Sequence, residues 1–180
     1  MGSSEVTVKR GLLILETAAM AALVLLDQVT KIAAEGALKG KESFVLIPGV
    51  LEFFYLENHG AAFGVLQNAR GFFLVVTFLA MAAVFYVLFR MPADRKYLPL
   101  RILVVLIGAG AVGNVIDRIV FSYVRDFIYF SLIDFPVFNV ADIYVTCATI
   151  FLALTILFYY KDDHDFDFLT GKKGGANDRK

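Results

Sequence analysis

Two long apolar runs without a single charge, Gly71 to Phe89 and Ile143 to Tyr160, constrain this chain more than any other feature. A run of about 20 residues is enough to cross the hydrocarbon core of a bilayer. Two further runs are nearly as clean. Gly11 to about Ala34 carries Glu16 near one end and Asp27 with Lys31 near the other, and Ile102 to Ile116 runs into Asp117 and Arg118. A hydrophobic fraction of 59% and a mean hydropathy of +0.71 exceed what a soluble domain carries. The expected fold class is an all-α membrane protein with four transmembrane helices, spanning about 11–34, 71–89, 102–116 and 143–160. The runs are spread too evenly for two cores, so residues 1–160 are expected to form one membrane-embedded domain.

Charge is distributed unevenly. The formal net charge is zero, and no basic stretch is interleaved with aromatics, which argues against a nucleic-acid partner. Alternating the four runs across a membrane puts eleven basic residues on one side and six on the other. The richer side, with both termini, is expected to be cytoplasmic. The first run lacks a small-residue cleavage site and is expected to stay as an anchor. From Lys161 to Lys180 the chain is polar and rich in Asp, Lys and Gly, and a disordered cytoplasmic tail is expected. His164 sits among acids there, and a solvated tail is preferred to a metal site. Cys147 lies inside the last run, where it reads as a small apolar filler.

The acids Asp27, Glu35, Glu42, Glu52, Glu57, Asp117, Asp126, Asp134 and Asp142 all fall on the other, extracytoplasmic side. Ser43 to Asn58 on that side reads as strand, Pro48-Gly49 turn and strand, which adds a small β-sheet or cradle to the helices. Gly108-Ala-Gly110-Ala-Val-Gly113 has the form of a dinucleotide fingerprint, but it lies inside an apolar run with no strand before it. Small residues that let membrane helices approach closely explain it better. Gly60 and Gly64 repeat the small-residue spacing in a loop, which is weak support for helix pairing.

Carboxylates at the edge of a hydrocarbon slab are costly and therefore functional candidates. Asp126 and Asp142 each stand beside an apolar run. Asn139 and Asp142 share a face at the start of the last helix, with Asn139 as its N-cap and Asp142 a favourable charge in its first turn. Asp27 and Lys31, four apart, read as a structural ion pair. Asn114, Asp117 and Arg118 could bind a peptide or lipid headgroup, or tie helix ends together. Two carboxylates in one poorly solvated cleft share a proton, so one serves as base and the other as acid. Such a dyad activates water against an amide without a metal. A transporter using the acids as an ion path, a magnesium-dependent lipid transferase and an assembly factor are the alternatives. The collection of acids at one face favours a surface site over a path.

Five motifs in order carry a resemblance: Asp27-Gln-Val-Thr-Lys31, Asn58-His-Gly-Ala-Ala-Phe-Gly64, Gly113-Asn-Val-Ile-Asp-Arg118, Val124-Arg-Asp126-Phe-Ile and Phe138-Asn-Val-Ala-Asp142. Over roughly Gly11 to Tyr160 the chain resembles lipoprotein signal peptidase, or signal peptidase II, a bacterial membrane aspartic peptidase family. The resemblance implies that Asp126 and Asp142 are the catalytic pair. It further implies that Asn58, Gly60, Asn114, Arg118 and Asn139 line and support the site, with Asp27 and Lys31 as a structural pair nearby. The implied substrate is a diacylglyceryl-modified prolipoprotein, cut just before the lipid-modified cysteine at the outer face of the bacterial cytoplasmic membrane. No cofactor or metal is expected, membrane lipids are the other partners, and a monomer is the expected state. His59 receives no role. Arg125 introduces a charge where the family commonly has an apolar residue; alternation along an extended segment predicts that it faces solvent or a headgroup. Phe53, Phe54 and Tyr55 are expected to cover the cleft partly and exclude water.

Overall fold

The structure is a computed structural model that describes residues 3–60, 70–162 and 164–170. Helix α1 (Ser3–Leu38) is followed by strands β1 (Phe44–Ile47) and β2 (Leu51–Asn58), then α2 (Arg70–Arg90) and α3 (Leu98–Val120). Strand β3 (Val124–Tyr129), α4 (Val140–Phe158) and a short α5 (Asp167–Thr170) complete the chain. Among the described residues, three helical stretches are long and apolar enough to cross a membrane: Val6–Leu38, Arg95–Val120 and Val140–Phe158. Within α2, Leu74–Arg90 is a shorter apolar helix. All of α1, at 36 residues, is about 54 Å long at 1.5 Å per residue. It therefore outruns a hydrocarbon core, and its last turns stand beside the sheet.

Helix α3 is the centre of the bundle and touches α1, α2 and α4. Its glycines explain how. A Cβ on Gly108 would meet Met20 of α1 at 2.7 Å and Val84 of α2 at 3.1 Å. On Gly110 it would fall 2.4 Å from the Ala141 carbonyl oxygen and 2.6 Å from Val145, both of α4. The apparent dinucleotide fingerprint is thus a set of close helix approaches, with van der Waals packing taking the place of a hydrophobic driving force. Part of the Gly60–Gly64 pattern lies outside the described residues. Cys147 is exposed on α4, so it fills no core space.

The apolar core occupies one end of the bundle: Met20, Val84, Leu88, Met91, Leu100, Val104, Val105, Ala109 and Tyr160. The tail corrects an expectation there. Its first part is folded rather than disordered, since Asp165 pairs with Lys96 and Arg90 Nε donates to the Phe168 carbonyl at 2.8 Å. Phe166 and Phe168 lie against Tyr160 and Tyr97. Two aromatics spaced among the acids supply the apolar anchor that the net polarity concealed. His164 is exposed, with Nδ1 2.8 Å from Asp167. Residues 171–180 fall outside the described residues.

At the opposite end the three strands form an antiparallel sheet in the order β1-β2-β3. The β1–β2 turn uses Pro48 and Gly49, the latter at φ +69°, with Val50 N–H donating to the Ile47 carbonyl at 3.0 Å. That is the positive φ a type II turn requires of its third residue. Replacing Gly110 with Ala should force α4 away from α3 and cost about 1–3 kcal/mol of stability. Thermal melting in detergent checks this, with Gly36→Ala as control, because nothing lies within 4 Å of a Cβ there. Equal melting temperatures for the two variants would count against the close approach.

Candidate active site

Register places Asp126. Leu56 pairs with Asp126 and Asn58 with Val124 across β2 and β3, so Asn58 and Asp126 are diagonal neighbours on one face. Asn58 Nδ2 donates to Asp126 Oδ2 at 2.8 Å, while Asn58 Oδ1 accepts from the Gly60 N–H at 3.0 Å. The chain after β3 then returns along it, with Phe138 and Ile128 exchanging backbone hydrogen bonds at 2.8 and 2.9 Å. This return delivers Asn139 to the start of α4. Asn139 is the N-cap, and a reciprocal capping box joins it to Asp142. The Asn139 N–H donates to Asp142 Oδ2 at 3.0 Å, and the Asp142 N–H donates to Asn139 Oδ1 at 3.1 Å. With its oxygen so occupied, Asn139 turns its Nδ2 to Asp126 Oδ1 at 2.6 Å. One asparagine therefore holds both aspartates. Asn114 Nδ2 donates to the remaining Asp142 oxygen at 2.7 Å.

Behind the aspartates lies a sealed layer of charge. Lys31 Nζ is 2.9 Å from Asp27 Oδ2 and 3.6 Å from Asp117 Oδ2, all three side chains being inaccessible to solvent. It also donates to Asn114 Oδ1 at 2.9 Å. Asp27 Oδ1 accepts the Ala141 N–H of α4 at 3.0 Å, so α1 caps α4 directly. A Cβ on Gly113 would sit 2.5 Å from Asp27 Oδ2, which is why α3 has no side chain there.

Arg125 departs from expectation. It is 3% exposed, and its guanidinium reaches Asp117 Oδ1 at 2.7 Å, Gln28 Oε1 at 2.9 Å and Glu35 Oε2 at 3.4 Å. Alternation along β3 does turn it away from Asp126. The reverse face, however, is covered by α1 and the end of α3 rather than by water. Gln28, assigned no role from sequence, ties this layer together, with Nε2 within 3.2 Å of Asp27, Gly113 O and Asp117. Only its place between Asp27 and Lys31 hinted at this.

A cavity of about 210 Å³ opens on the aspartates. It is lined by Asn58, Gly60, Asn114, Arg118, Asp126 and Asp142, together with Phe135 to Phe138. Arg118 Nη2 donates to the Gly60 carbonyl at 3.3 Å, closing one wall. Phe53, Phe54 and Tyr55 are in strand β2 and are absent from this lining among the described residues. Phe53 instead stacks between Phe44 and Phe127, on the other side of the sheet. The expected aromatic cover is corrected to the segment after β3, because the return of the chain along β3 was not visible in sequence. His59 packs its ring against Tyr123. Burial, reinforced by the charge of Asp142, pushes the Asp126 carboxyl up to about 7 despite its two amide donors. The arrangement has the parts for acid–base work: two carboxyls, one of which holds a proton near neutrality, on a shared cavity. Lys31→Met leaves Asp27 without its buried counter-charge, and a loss of about 3–5 kcal/mol is expected. A melt in detergent within a degree of wild type would contradict it.

Comparison with known proteins identifies the family. A family model described as Signal peptidase (SPase) II matches residues 19–158. A lipoprotein signal peptidase of Clostridium tetani is 41% identical over 143 residues, covering 78% of this chain and 88% of the relative. One from Streptococcus pyogenes serotype M5 is 37% identical over 134 residues, covering 74% and 87%. A bacterial membrane enzyme structure obtained by the in meso method at 2.3 Å resolution superposes with a TM-score of 0.73 at 31% identity, covering 82% of this chain and 92% of that one. A second, at 1.9 Å resolution, gives 0.70 at 32% identity, covering 79% and 92%. The chain belongs to the signal peptidase II family of aspartic-type membrane proteases.

Proposed function

We propose that this protein removes the signal peptide from diacylglyceryl-modified prolipoproteins, cutting just before the modified cysteine, with Asp126 and Asp142 as the catalytic pair. One observation carries the reading: strand β3 and the start of α4 bring two carboxyls to one cavity with Asn139 bonded to both. The helices are read as four spans, α2 included, with both termini cytoplasmic and the sheet on the extracytoplasmic surface. The acyl chains of the substrate then stay in hydrocarbon while the peptide enters the cavity from outside. Residues 1–160 act as the peptidase domain, and one chain contains the whole site.

Asp142 is the base in this reading. It lies in the first turn of α4, where the helix N-terminus favours negative charge. It also takes an amide donor that is itself bonded to the Lys31 ammonium. Asp126 has only neutral amide donors and holds its proton up to about pH 7. Asp142 takes a proton from water as the water oxygen bonds to the scissile carbonyl carbon, and Asp126 gives its proton to the carbonyl oxygen. In collapse of the tetrahedral diol, Asp126 recovers its proton from a hydroxyl, the C–N bond breaks, and Asp142 protonates the leaving amine. Asn58, Asn114 and Asn139 hold the two carboxyls, and Arg118 with Gly60 forms the wall against which the peptide lies.

The test is cleavage of a diacylglyceryl-modified prolipoprotein peptide by the purified protein in detergent. Asp126→Asn and Asp142→Asn should each melt as folded proteins and cleave at least about 100-fold more slowly. Folded variants that cut at the wild-type rate would refute the dyad. The proton on Asp126 is lost as pH climbs through about 7, so kcat/KM should fall about tenfold per pH unit above that. A profile flat from pH 6 to 9 would contradict Asp126 as the acid.

A further inference from the structure

Lys31 faces three acceptors: Asp27 Oδ2 and Asn114 Oδ1, both at 2.9 Å, and Asp117 Oδ2 at 3.6 Å. Its bond to Asn114 has a directional consequence. An ammonium only donates, so it fixes the amide oxygen toward itself and leaves the NH2 for Asp142. Asn139 Nδ2, also a donor, meets the same Asn114 oxygen at 3.1 Å. A flipped Asn114 would put donor against donor on both sides. The hold of Lys31 on Asn114 depends on how strongly Asp117 competes for the same ammonium. Asp117 is occupied by Arg125, which donates its backbone N–H at 2.9 Å, Nε at 3.2 Å and Nη2 at 2.7 Å.

We propose that Arg125 is a positioning residue for Asp142: by occupying Asp117 it leaves the Lys31 ammonium to Asp27 and Asn114, and so keeps the Asn114 NH2 on the Asp142 carboxylate. This rests on the reading of Asp142 as the base. The charged groups that face Asp142 are Asp27 and Lys31 of α1, Arg118 of α3 and Asp126 of β3. Those that face Arg125 are Glu35 of α1 and Asp117 of α3. Asp27, Lys31, Asp117 and Arg125 together carry no net charge. Without the Arg125 guanidinium, one buried negative charge is uncompensated and Lys31 is shared between two carboxylates. Asp142 then keeps a weaker donor beside a more negative neighbourhood, and both changes favour its protonated form.

The readout is the acid limb of the kcat/KM profile for peptide cleavage in detergent. Arg125→Gln should move that limb up by about one pH unit, a loss of about tenfold on the acid side with the plateau little changed. Asp117→Asn removes the opposite charge and should move the limb down. The double variant, neutral again, should return it to the wild-type position. A purely structural role would lower kcat alike at every pH and make the double variant worse than either single one; that pattern overturns the proposal. Should Arg125→Gln not fold, Asp117→Asn decides, and a limb at or above the wild-type pH overturns it. Failure of the underlying reading is seen separately, as Asp142→Asn cleaving at the wild-type rate. An unmoved limb in folded Arg125→Gln with Asp142→Asn inactive refutes the positioning role and leaves the dyad standing.

Discussion

Four charged side chains, Asp27, Lys31, Asp117 and Arg125, are sealed where α1, α3 and β3 meet, and their charges cancel. Taking one such ion out of water costs several kcal/mol even after relaxation, so each must find a partner and fill its remaining hydrogen-bonding positions. Here the filling comes from other elements. Asp27 takes a backbone N–H of α4, Asp117 takes a backbone N–H of β3, and Lys31 takes the Asn114 amide of α3. The requirement to satisfy four ions therefore fixes how the helices and the sheet meet.

The same layer explains why α3 must carry small residues. Gly113 leaves room for the Asp27 carboxylate, and Gly110 lets α4 approach until its first turn touches α3. Close backbone approach and buried charge are one design, since Asp27 could not reach the Ala141 N–H across a bulkier interface. At the far end the bundle solves its packing differently, with Met91, Leu100 and Val104 forming an apolar core. Even there one ion pair is buried, Arg101 with Glu16, and Arg101 Nη2 donates to the Met91 carbonyl at 2.8 Å.

Three asparagines finish the site. Each amide has one acceptor and two donors, and each is oriented by a bond made elsewhere: Asn58 by the Gly60 N–H, Asn139 by the Asp142 N–H, Asn114 by Lys31. With the oxygens thus engaged, the NH2 groups all face carboxylate oxygens. Preorganised donors of this kind need no rearrangement when charge develops.

Much of this was legible in the amino-acid order because it is local. The apolar runs marked the helices, Pro48-Gly49 marked the hairpin, the spacing of Asp27 and Lys31 marked their pair, and Asn139 with Asp142 marked a helix start. The five short motifs together pointed to the family. Tertiary structure alone decided what covers each face. Alternation told that Arg125 and Asp126 point opposite ways, but not that α1 and α3 close over Arg125. Nothing local showed that Phe138 returns along β3, placing Phe135 to Phe138 at the cavity instead of Phe53 to Tyr55. Nor did local composition show that Phe166 and Phe168 anchor the tail. Periodicity reports the direction of a side chain relative to its own backbone; its surroundings are set by contacts between residues distant in the chain.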